Sequence, residues 1–208
     1  MQLIGYMDSP YVRRVAITMR CLEIDFQHRE LSIWRDFDEF RALSPLVKVP
    51  TLVCDDGQVL VDSTLIIDYL ETQMAGGSGM LPGDPAAYRE ALQHIGVALV
   101  GMEKAVQLVY ERSQRPLEVQ HAPWIARLEK QLDGAVRLME SAVSAAALAG
   151  HEWLTGQELT QADITTAVAW RFMQHNSSVV VEPAGYPALT EYSARAEALP
   201  EFRACPLS

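Results

Sequence analysis

The stretch that most constrains the fold lies at residues 48–68, where two strands and the start of a helix follow one another closely. Two short runs rich in valine and leucine, at 49–53 and 58–61, are separated by an acidic turn that ends in Gly57, which is typical of a β-hairpin. Apolar side chains then recur at helical spacing, at Leu65, Ile66, Tyr69 and Leu70. The stretch therefore predicts a hairpin followed directly by a helix.

Pro50 stands at the mouth of the first strand of this hairpin, where a missing N–H does little harm. If the Val49–Pro50 peptide bond is cis, the N–H and C=O of Val49 turn outward and can pair with an extended peptide. Because only about 5–6% of X–Pro bonds in folded proteins are cis, the local sequence by itself favours an ordinary trans proline.

The residues before this stretch add a strand–helix–strand unit. Short strands are predicted at 2–6 and 26–31, and a helix at 10–21 begins with a proline, which is favoured at the first helical position. Such a unit implies parallel pairing with a right-handed crossover. With a short irregular helix at 34–43, the order of elements up to residue 73 predicts a βαβ-ββα domain.

A segment rich in glycine and proline at residues 74–85 is the clearest linker. After it the apolar residues keep a helical period, first along residues 84–112, then from Trp124 onward, and again at 188–198. Thr160 and Asp163 form a capping signal for a further helix between these segments. We predict an α/β domain at 1–75, a linker at 76–85 and an all-helical domain at 86–208.

The composition narrows the class of function. The 208 residues carry a formal charge of −10, which argues against a nucleic-acid partner, whose phosphates need a basic surface. No leader and no apolar run of membrane-spanning length is visible, so we expect a cytoplasmic protein without a membrane partner. The three cysteines fit free thiols in a reducing compartment, and the five histidines lack the spacing of a metal site.

Val-Pro-x-Leu at 49–52, the Asp-Gly turn and Asp62-Ser63 at a helix start resemble the second half of the thioredoxin-like domain of glutathione transferases. In that family the proline is cis, and the acid-Ser pair holds the γ-glutamyl end of glutathione. The resemblance extends over nearly the whole chain and implies a thioredoxin-like domain followed by an all-helical one, in a homodimer. The chain departs from the family at Val47, where the family often has glycine before Lys-Val-Pro.

Ser9-Pro10-Tyr11-Val12, between the first strand and the first helix, resembles the Cys-Pro-Tyr-Cys motif of glutaredoxins. The resemblance places Ser9 where a resident thiol would lie, at the positive end of a helix. Without this context an N-cap serine is the favoured alternative, and both roles are compatible. Tyr6 and Tyr11 are competing hydroxyls; we expect Tyr6 in the core and Tyr11 at the cleft.

A serine hydroxyl is energetically sufficient to activate a bound thiol. Lowering a thiol pKa from about 8.5 by ~2 units requires ~2.7 kcal/mol of preferential stabilisation of the thiolate. A hydrogen bond to a charged group contributes roughly 1.5–3 kcal/mol, and a helix N-terminus about 0.3–2 kcal/mol. Ser9 therefore need not act as a base.

The resemblance also assigns partners for the other groups of glutathione, which has two carboxylates, one ammonium group and two peptide groups. Asp62 suits the ammonium, Ser63 the γ-glutamyl carboxylate, and the backbone of Val49 beside Pro50 the cysteinyl residue. Lys48 either meets the glycyl carboxylate or is a solvated surface lysine, and Trp34 is a weaker candidate for the same end.

The second substrate is expected between the domains. Tyr110 and Trp170 are the candidate walls of its pocket, although aromatic residues at helical spacing are usually packing residues.

The leading hypothesis is a detoxifying glutathione transferase that stabilises the glutathione thiolate through Ser9. It then conjugates the thiolate to a hydrophobic electrophile or reduces a peroxide, with glutathione as co-substrate and no metal. The alternative is a non-catalytic interaction module on the same fold, of the stringent-starvation type. Glutaredoxin-like exchange is disfavoured because Ser9 and Val12 occupy both cysteine positions.

Overall fold

The computed structural model describes residues 1–74, 76, 79–176, 179 and 181–207, and the chain forms two compact units. The first unit comprises Met1–Met80 together with Ala198–Ser208, and the second comprises Leu81–Glu197. Position 75, where the first domain was predicted to end, and positions 77 and 78 of the predicted linker lie outside the described residues.

The first unit has a four-stranded mixed sheet of order β2-β1-β3-β4. Strand β1 pairs parallel with β2 and antiparallel with β3, and β3 pairs antiparallel with β4. The strands are β1 (Gln2–Ile4), β2 (Gln27–Arg29), β3 (Thr51–Val53) and β4 (Val59–Leu60). The helices are α1 (Pro10–Cys21), α2 (Phe37–Leu43) and α3 (Ser63–Tyr69), the last continued by a π-helical turn at Leu70–Met74. The predicted thioredoxin-like order of elements is confirmed.

Helix α1 has the predicted bounds, because Ser9 caps its start and Pro10 fits the first helical position. Its predicted apolar face is buried at Val12, Val15, Ala16 and Met19. Strand β1 is shorter than predicted because Gly5, with φ of +131°, leaves the extended conformation directly after Ile4.

The second unit contains helices α4 (Pro85–Ser113), α5 (Ala122–Leu148), α6 (Gln161–His175) and α7 (Pro187–Glu197). Asp84 caps α4 by accepting the N–H groups of Ala86 and Ala87, both at 3.0 Å. Helix α6 is buried on every face from Ala162 to Trp170, so it is the central helix of this unit. None of the helices in the described part of the chain is both long and apolar enough to cross a lipid bilayer.

The last segment of the chain belongs to the first unit, whereas the sequence analysis assigned it to the helical domain. A short helix, α8 (Pro200–Arg203), follows α7 and packs on α1. The buried Arg13 of α1 donates from Nε to the carbonyl of Cys205 at 2.8 Å, and its guanidinium lies over the Phe202 ring. Local sequence patterns do not show that a buried arginine of α1 contacts a segment almost 200 residues further along the chain.

Asp163 is a fully buried carboxylate at the start of α6 and confirms the predicted capping box. Its Oδ2 accepts the N–H of Thr160 at 2.7 Å and the hydroxyl of the same residue at 2.6 Å. Its Oδ1 accepts the N–H of Leu154 at 2.8 Å and the hydroxyl of Tyr192. Burial and the neighbouring carboxylate raise the pKa of Tyr192 well above its usual value, which keeps this hydroxyl a donor. One carboxylate thus joins α6, α7 and the segment before α6.

We predict that Asp163→Asn lowers the free energy of unfolding by about 3 kcal/mol or more, because an amide cannot accept all four of these hydrogen bonds. The matched control is Asp133→Asn on the exposed face of α5, where Asp133 pairs with Arg137 at 2.8 Å and accepts the Tyr186 hydroxyl at 3.1 Å, a bond that the amide oxygen of asparagine can keep. Such an exposed pair contributes only about 0.3–0.5 kcal/mol. Urea denaturation followed by circular dichroism measures both variants. Equal losses in the two variants would contradict the role given to Asp163.

Val47, just before β3, has a φ of +44°, the left-handed conformation that glycine adopts without penalty. This is the position at which the chain departs from the glutathione transferase pattern. The backbone thus keeps a conformation that suits glycine, although the residue is β-branched. Its side chain packs against the cluster of Ile4, Leu31 and Phe40. Packing therefore offsets part of the backbone strain.

We predict that Val47→Gly changes the free energy of unfolding by less than about 1 kcal/mol, since relief of roughly 1–2 kcal/mol of left-handed strain offsets lost burial. Val53→Gly is the control, because Val53 packs on the same cluster from a regular strand. With no strain to relieve, that variant loses about 2 kcal/mol from burial and backbone entropy. Thermal and urea unfolding compare the two. A Val47→Gly loss as large as that of Val53→Gly would show that the positive φ carries no cost.

Candidate functional site

Ser9 is the N-cap residue of α1 and is half-buried. Its hydroxyl oxygen accepts the N–H of Val12 at 3.5 Å, a long hydrogen bond. A serine hydroxyl has one donor and two acceptor lone pairs, so this bond leaves the O–H proton unused. Ser9 therefore both caps the helix and retains a donor at the helix N-terminus.

Gly5 brings the start of α1 against the loop before β3. A Cβ at Gly5 would lie 2.6 Å from Cγ2 of Val12 and 2.8 Å from Cγ1 of Val49, distances that real side chains do not tolerate. The Gly5 carbonyl is also hydrogen-bonded to Nε2 of His28 at 2.7 Å. The helix that carries Ser9 and the loop that carries Val49 are thus in close contact through this backbone.

The Val49–Pro50 peptide bond is cis, as the family resemblance implied and contrary to the expectation from local sequence alone. Val49 is half-buried, Pro50 is buried and Lys48 is exposed. Among the described residues, neither the N–H nor the C=O of Val49 pairs with another backbone group. The loop just before β3 therefore offers one donor and one acceptor to an extended peptide.

Asp62 and Ser63 lie at the start of α3. Oδ1 of Asp62 accepts the N–H groups of Thr64 at 2.9 Å and Leu65 at 3.2 Å, so the plain helix cap considered in the sequence analysis is present. The Asp62 side chain is exposed, and its Oδ2 takes part in neither bond. The peptide bond before Asp62 is also cis.

Ser63 is buried, and its hydroxyl accepts a hydrogen bond from Nη1 of Arg14 at 3.2 Å. The same nitrogen donates to Oγ1 of Thr64 at 3.2 Å. Arg14 is itself buried, and burial lowers its pKa to about 10 although Asp62, Tyr11 and Glu71 act in the opposite direction. The sequence analysis did not identify Arg14. The signal that could have found it is a pair of arginines inside the apolar pattern of α1, since charged residues at such positions need partners.

The sequence-predicted glutathione residues therefore all belong to the first unit. The contact at Gly5 joins the helix of Ser9 to Val49, and the Arg14 bond joins the same helix to Ser63. Tyr11 is half-buried in the first turn of α1.

The two residues predicted for a second-substrate pocket belong to the second unit and differ in exposure. Tyr110 on α4 is 40% exposed, whereas Trp170 on α6 has no exposed surface. The Trp170 ring packs edge-on against Tyr186, with centroids 5.6 Å apart. Trp170 is thus a core residue and not a pocket wall, because the fully buried helix α6 surrounds it with packed side chains.

The three cysteines are all free thiols, and none is activated. Burial raises the pKa of Cys21 to about 12 and also raises the pKa values of Cys54 and Cys205. Since the thiolate is the reactive form, no resident cysteine is suited to nucleophilic chemistry near neutral pH. In the described residues, no group of three or more histidine, cysteine or acidic side chains is arranged to hold a metal ion.

The chain has the fold of a two-domain class of proteins. In this class a thioredoxin-like domain with a cis-proline loop is followed by an all-helical domain. A family model described as the glutathione S-transferase N-terminal domain matches residues 3–78, and one described as the glutathione S-transferase C-terminal domain matches residues 102–200. The chain belongs to the glutathione S-transferase family.

Curated relatives agree with this assignment. The chain is 27% identical over 140 residues to the uncharacterized GST-like protein YibF of Escherichia coli, a match that covers 67% of this chain and 68% of that protein. It is 34% identical over 108 residues to the maleylacetoacetate isomerase of Pseudomonas aeruginosa, a match that covers 50% of each chain. The similarity to the isomerase is therefore confined to half of its length.

Solved structures match along the whole chain. A glutathione transferase family member from Pseudomonas fluorescens, with bound glutathione, has a TM-score of 0.80 at 26% identity, covering 100% of this chain and 98% of that one. A glutathione S-transferase from Methylobacillus flagellatus has a TM-score of 0.87 at 21% identity, covering 100% and 99% of the two chains. At 21% identity, the similarity to the Methylobacillus flagellatus structure supports the fold alone.

Proposed function

We propose that this protein is a glutathione transferase in which the Ser9 hydroxyl donates a hydrogen bond to the thiolate of bound glutathione. The observation that carries the proposal is the position of Ser9 at the start of α1, with its O–H proton unused, on a helix held against the cis-proline loop. The related protein from Pseudomonas fluorescens was solved with bound glutathione, which supports the choice of ligand.

The other contacts follow the groups of the tripeptide. The exposed Oδ2 of Asp62 takes the ammonium group, and the Ser63 hydroxyl takes the γ-glutamyl carboxylate. The N–H and C=O of Val49, beside Pro50, pair with the cysteinyl residue as a short strand addition. Lys48 is exposed and supplies a positive charge for the glycyl carboxylate. Tyr11 lines the sulfur end of the site.

The chemistry then needs only a stabilised thiolate. In conjugation the sulfur forms a bond to an electrophilic carbon of a hydrophobic substrate, a leaving group such as chloride departs with the bonding electrons, and the thiol proton goes to solvent. In peroxide reduction, two glutathione molecules give the disulfide while the peroxide becomes an alcohol and water. Tyr110, the exposed one of the two predicted aromatic residues, is the candidate contact for the hydrophobic substrate.

We predict that Ser9→Ala lowers kcat/KM about 10- to 100-fold with glutathione and a chlorodinitrobenzene, because the thiolate loses one charge-assisted hydrogen bond. The pKa of bound glutathione, followed by ultraviolet absorbance of the thiolate, should rise toward its value in water. The glutathione Kd should change little. Ser9→Thr keeps the hydroxyl and should retain more activity than Ser9→Ala.

Tyr6→Phe and Tyr11→Phe are the matched controls, since each removes only a competing hydroxyl. Loss of turnover in Tyr11→Phe with normal turnover in Ser9→Ala would transfer the role to Tyr11. Absence of glutathione binding by calorimetry in the unmodified protein would instead favour the non-catalytic interaction module.

We further propose that the protein is a cytoplasmic homodimer that acts in detoxification, as the family resemblance implies. Large apolar side chains are exposed along α4 and α5, namely Tyr88, Leu92, Val100 and Leu138. A groove of about 240 Å³ lies between these two helices and includes Val97 and Leu138 in its lining. Uncovered apolar surface of this kind is typical of an interface.

The proposed cytoplasmic location is supported by the three free thiols, which fit a reducing compartment.

We predict that sedimentation velocity at micromolar concentration gives about twice the chain mass of 23.1 kDa. Leu138→Glu should shift the protein toward the monomer, because it places a charge on the uncovered apolar surface. The control is Leu117→Glu, at a position that is 82% exposed on the segment after α4. A monomeric unmodified protein would contradict the proposal.

A further inference from the structure

Arg14 is a buried cation without an ion-pair partner. It is 1% exposed, its Nη1 donates to the hydroxyls of Ser63 and Thr64, and its Nε has no hydrogen-bond partner among the described residues. Among the described residues its guanidinium forms no direct ion pair, although the carboxylates of Asp62 and of the buried Glu71 are close enough to favour its charged form. Buried charges in proteins are normally paired directly, so a buried cation whose hydrogen bonds go to two hydroxyls suggests that it acts through those hydroxyls.

The adjacent Arg13 shows what a purely structural arginine looks like on the same helix. It is equally buried, but it faces the end of the chain, where its Nε bonds to the Cys205 carbonyl and its guanidinium covers the Phe202 ring. Arg14 instead donates to two hydroxyls at the start of α3, next to the exposed carboxylate of Asp62. Arg14 thus contacts Ser63, a residue proposed to bind the ligand.

The Arg14 bond fixes the direction in which the Ser63 hydroxyl can donate. Because the Ser63 oxygen accepts from Nη1, one of its lone pairs is occupied and its own proton must point elsewhere. A cation behind the oxygen also polarises the O–H group, which strengthens its hydrogen bond to an anion. The hydroxyl is thereby prepared to donate to a carboxylate.

We infer that Arg14 is a positioning residue that orients and polarises Ser63 toward the γ-glutamyl carboxylate of glutathione. This inference rests on the proposed function and adds to it the residue that determines recognition of that carboxylate. Arg14 acts through Ser63 and does not need to touch the ligand. It also couples the helix that carries Ser9 to the part of the site that holds the γ-glutamyl group.

The test compares two ligands by calorimetry on the full chain: glutathione, and γ-aminobutyryl-cysteinylglycine, which lacks only the γ-glutamyl carboxylate. We expect the unmodified protein to bind glutathione about 10-fold or more tightly than the analogue, as for a charge-assisted hydrogen bond. Arg14→Met should bring the ratio of the two Kd values close to one. Arg13→Met should keep the ratio of the unmodified protein even if its melting temperature falls.

A second pair of variants covers the case in which Arg14→Met does not fold. Arg14→Lys keeps the charge and should retain part of the ratio. Ser63→Ala should lower the ratio by itself, and adding Arg14→Lys to it should then have little further effect, because both changes act on one contact.

The outcomes separate the inference from the proposed function. If the ratio of the two Kd values stays high in Arg14→Met, or in both Arg14→Lys and Ser63→Ala, then Arg14 has only a structural role and the inference is overturned. A ratio near one in the unmodified protein overturns it too, while leaving glutathione binding intact. No binding of either ligand by the unmodified protein rejects the proposed function, and the inference with it.

Discussion

The candidate site depends on how tightly the start of α1 is held. On one side the backbone of Gly5 leaves no space for a side chain between Val12 and Val49. On the other side the guanidinium of Arg14 bonds to hydroxyls at the start of α3. Close packing restricts how near the helix can lie to its neighbours, and hydrogen bonds restrict its angle to them. Together they fix both the distance and the orientation of the helix. A hydrogen bond from Ser9 to a ligand sulfur needs that precision, since its strength falls steeply with angle.

Local patterns were sufficient for the elements whose formation is local. The bounds of α1 follow from Ser9 and Pro10, and the capping box at Thr160 follows from two side chains three residues apart. The cis geometry before Pro50 was different: the local sequence favoured trans, and only the resemblance to a family predicted the observed bond.

Features that depend on distant contacts were missed or wrong. Trp170 was a candidate pocket wall although its helical spacing favoured packing, and it lies in a helix that is buried on every face. Arg13 and Arg14 break the apolar pattern of α1, and their partners are far away in sequence, at Cys205 and Ser63. A charged residue inside an apolar helical pattern should therefore be treated as a sign of a long-range contact, since a buried charge needs a partner.

Because the whole chain is negatively charged, binding of an anionic ligand depends on the few cations at the site. The formal charge is −10, and glutathione with two carboxylates and one ammonium group is also an anion, so the average field opposes binding. At physiological ionic strength exposed charges beyond about 8 Å are largely screened, whereas a buried cation is screened much less. In the proposed site, Arg14 would therefore act on the ligand more strongly than an exposed cation at the same distance. The exposed Lys48 would contribute mainly through a direct contact with the ligand. An acidic protein can bind an anionic peptide in this way only if its cations are buried next to the groups that touch the ligand, which is the arrangement of Arg14 behind Ser63.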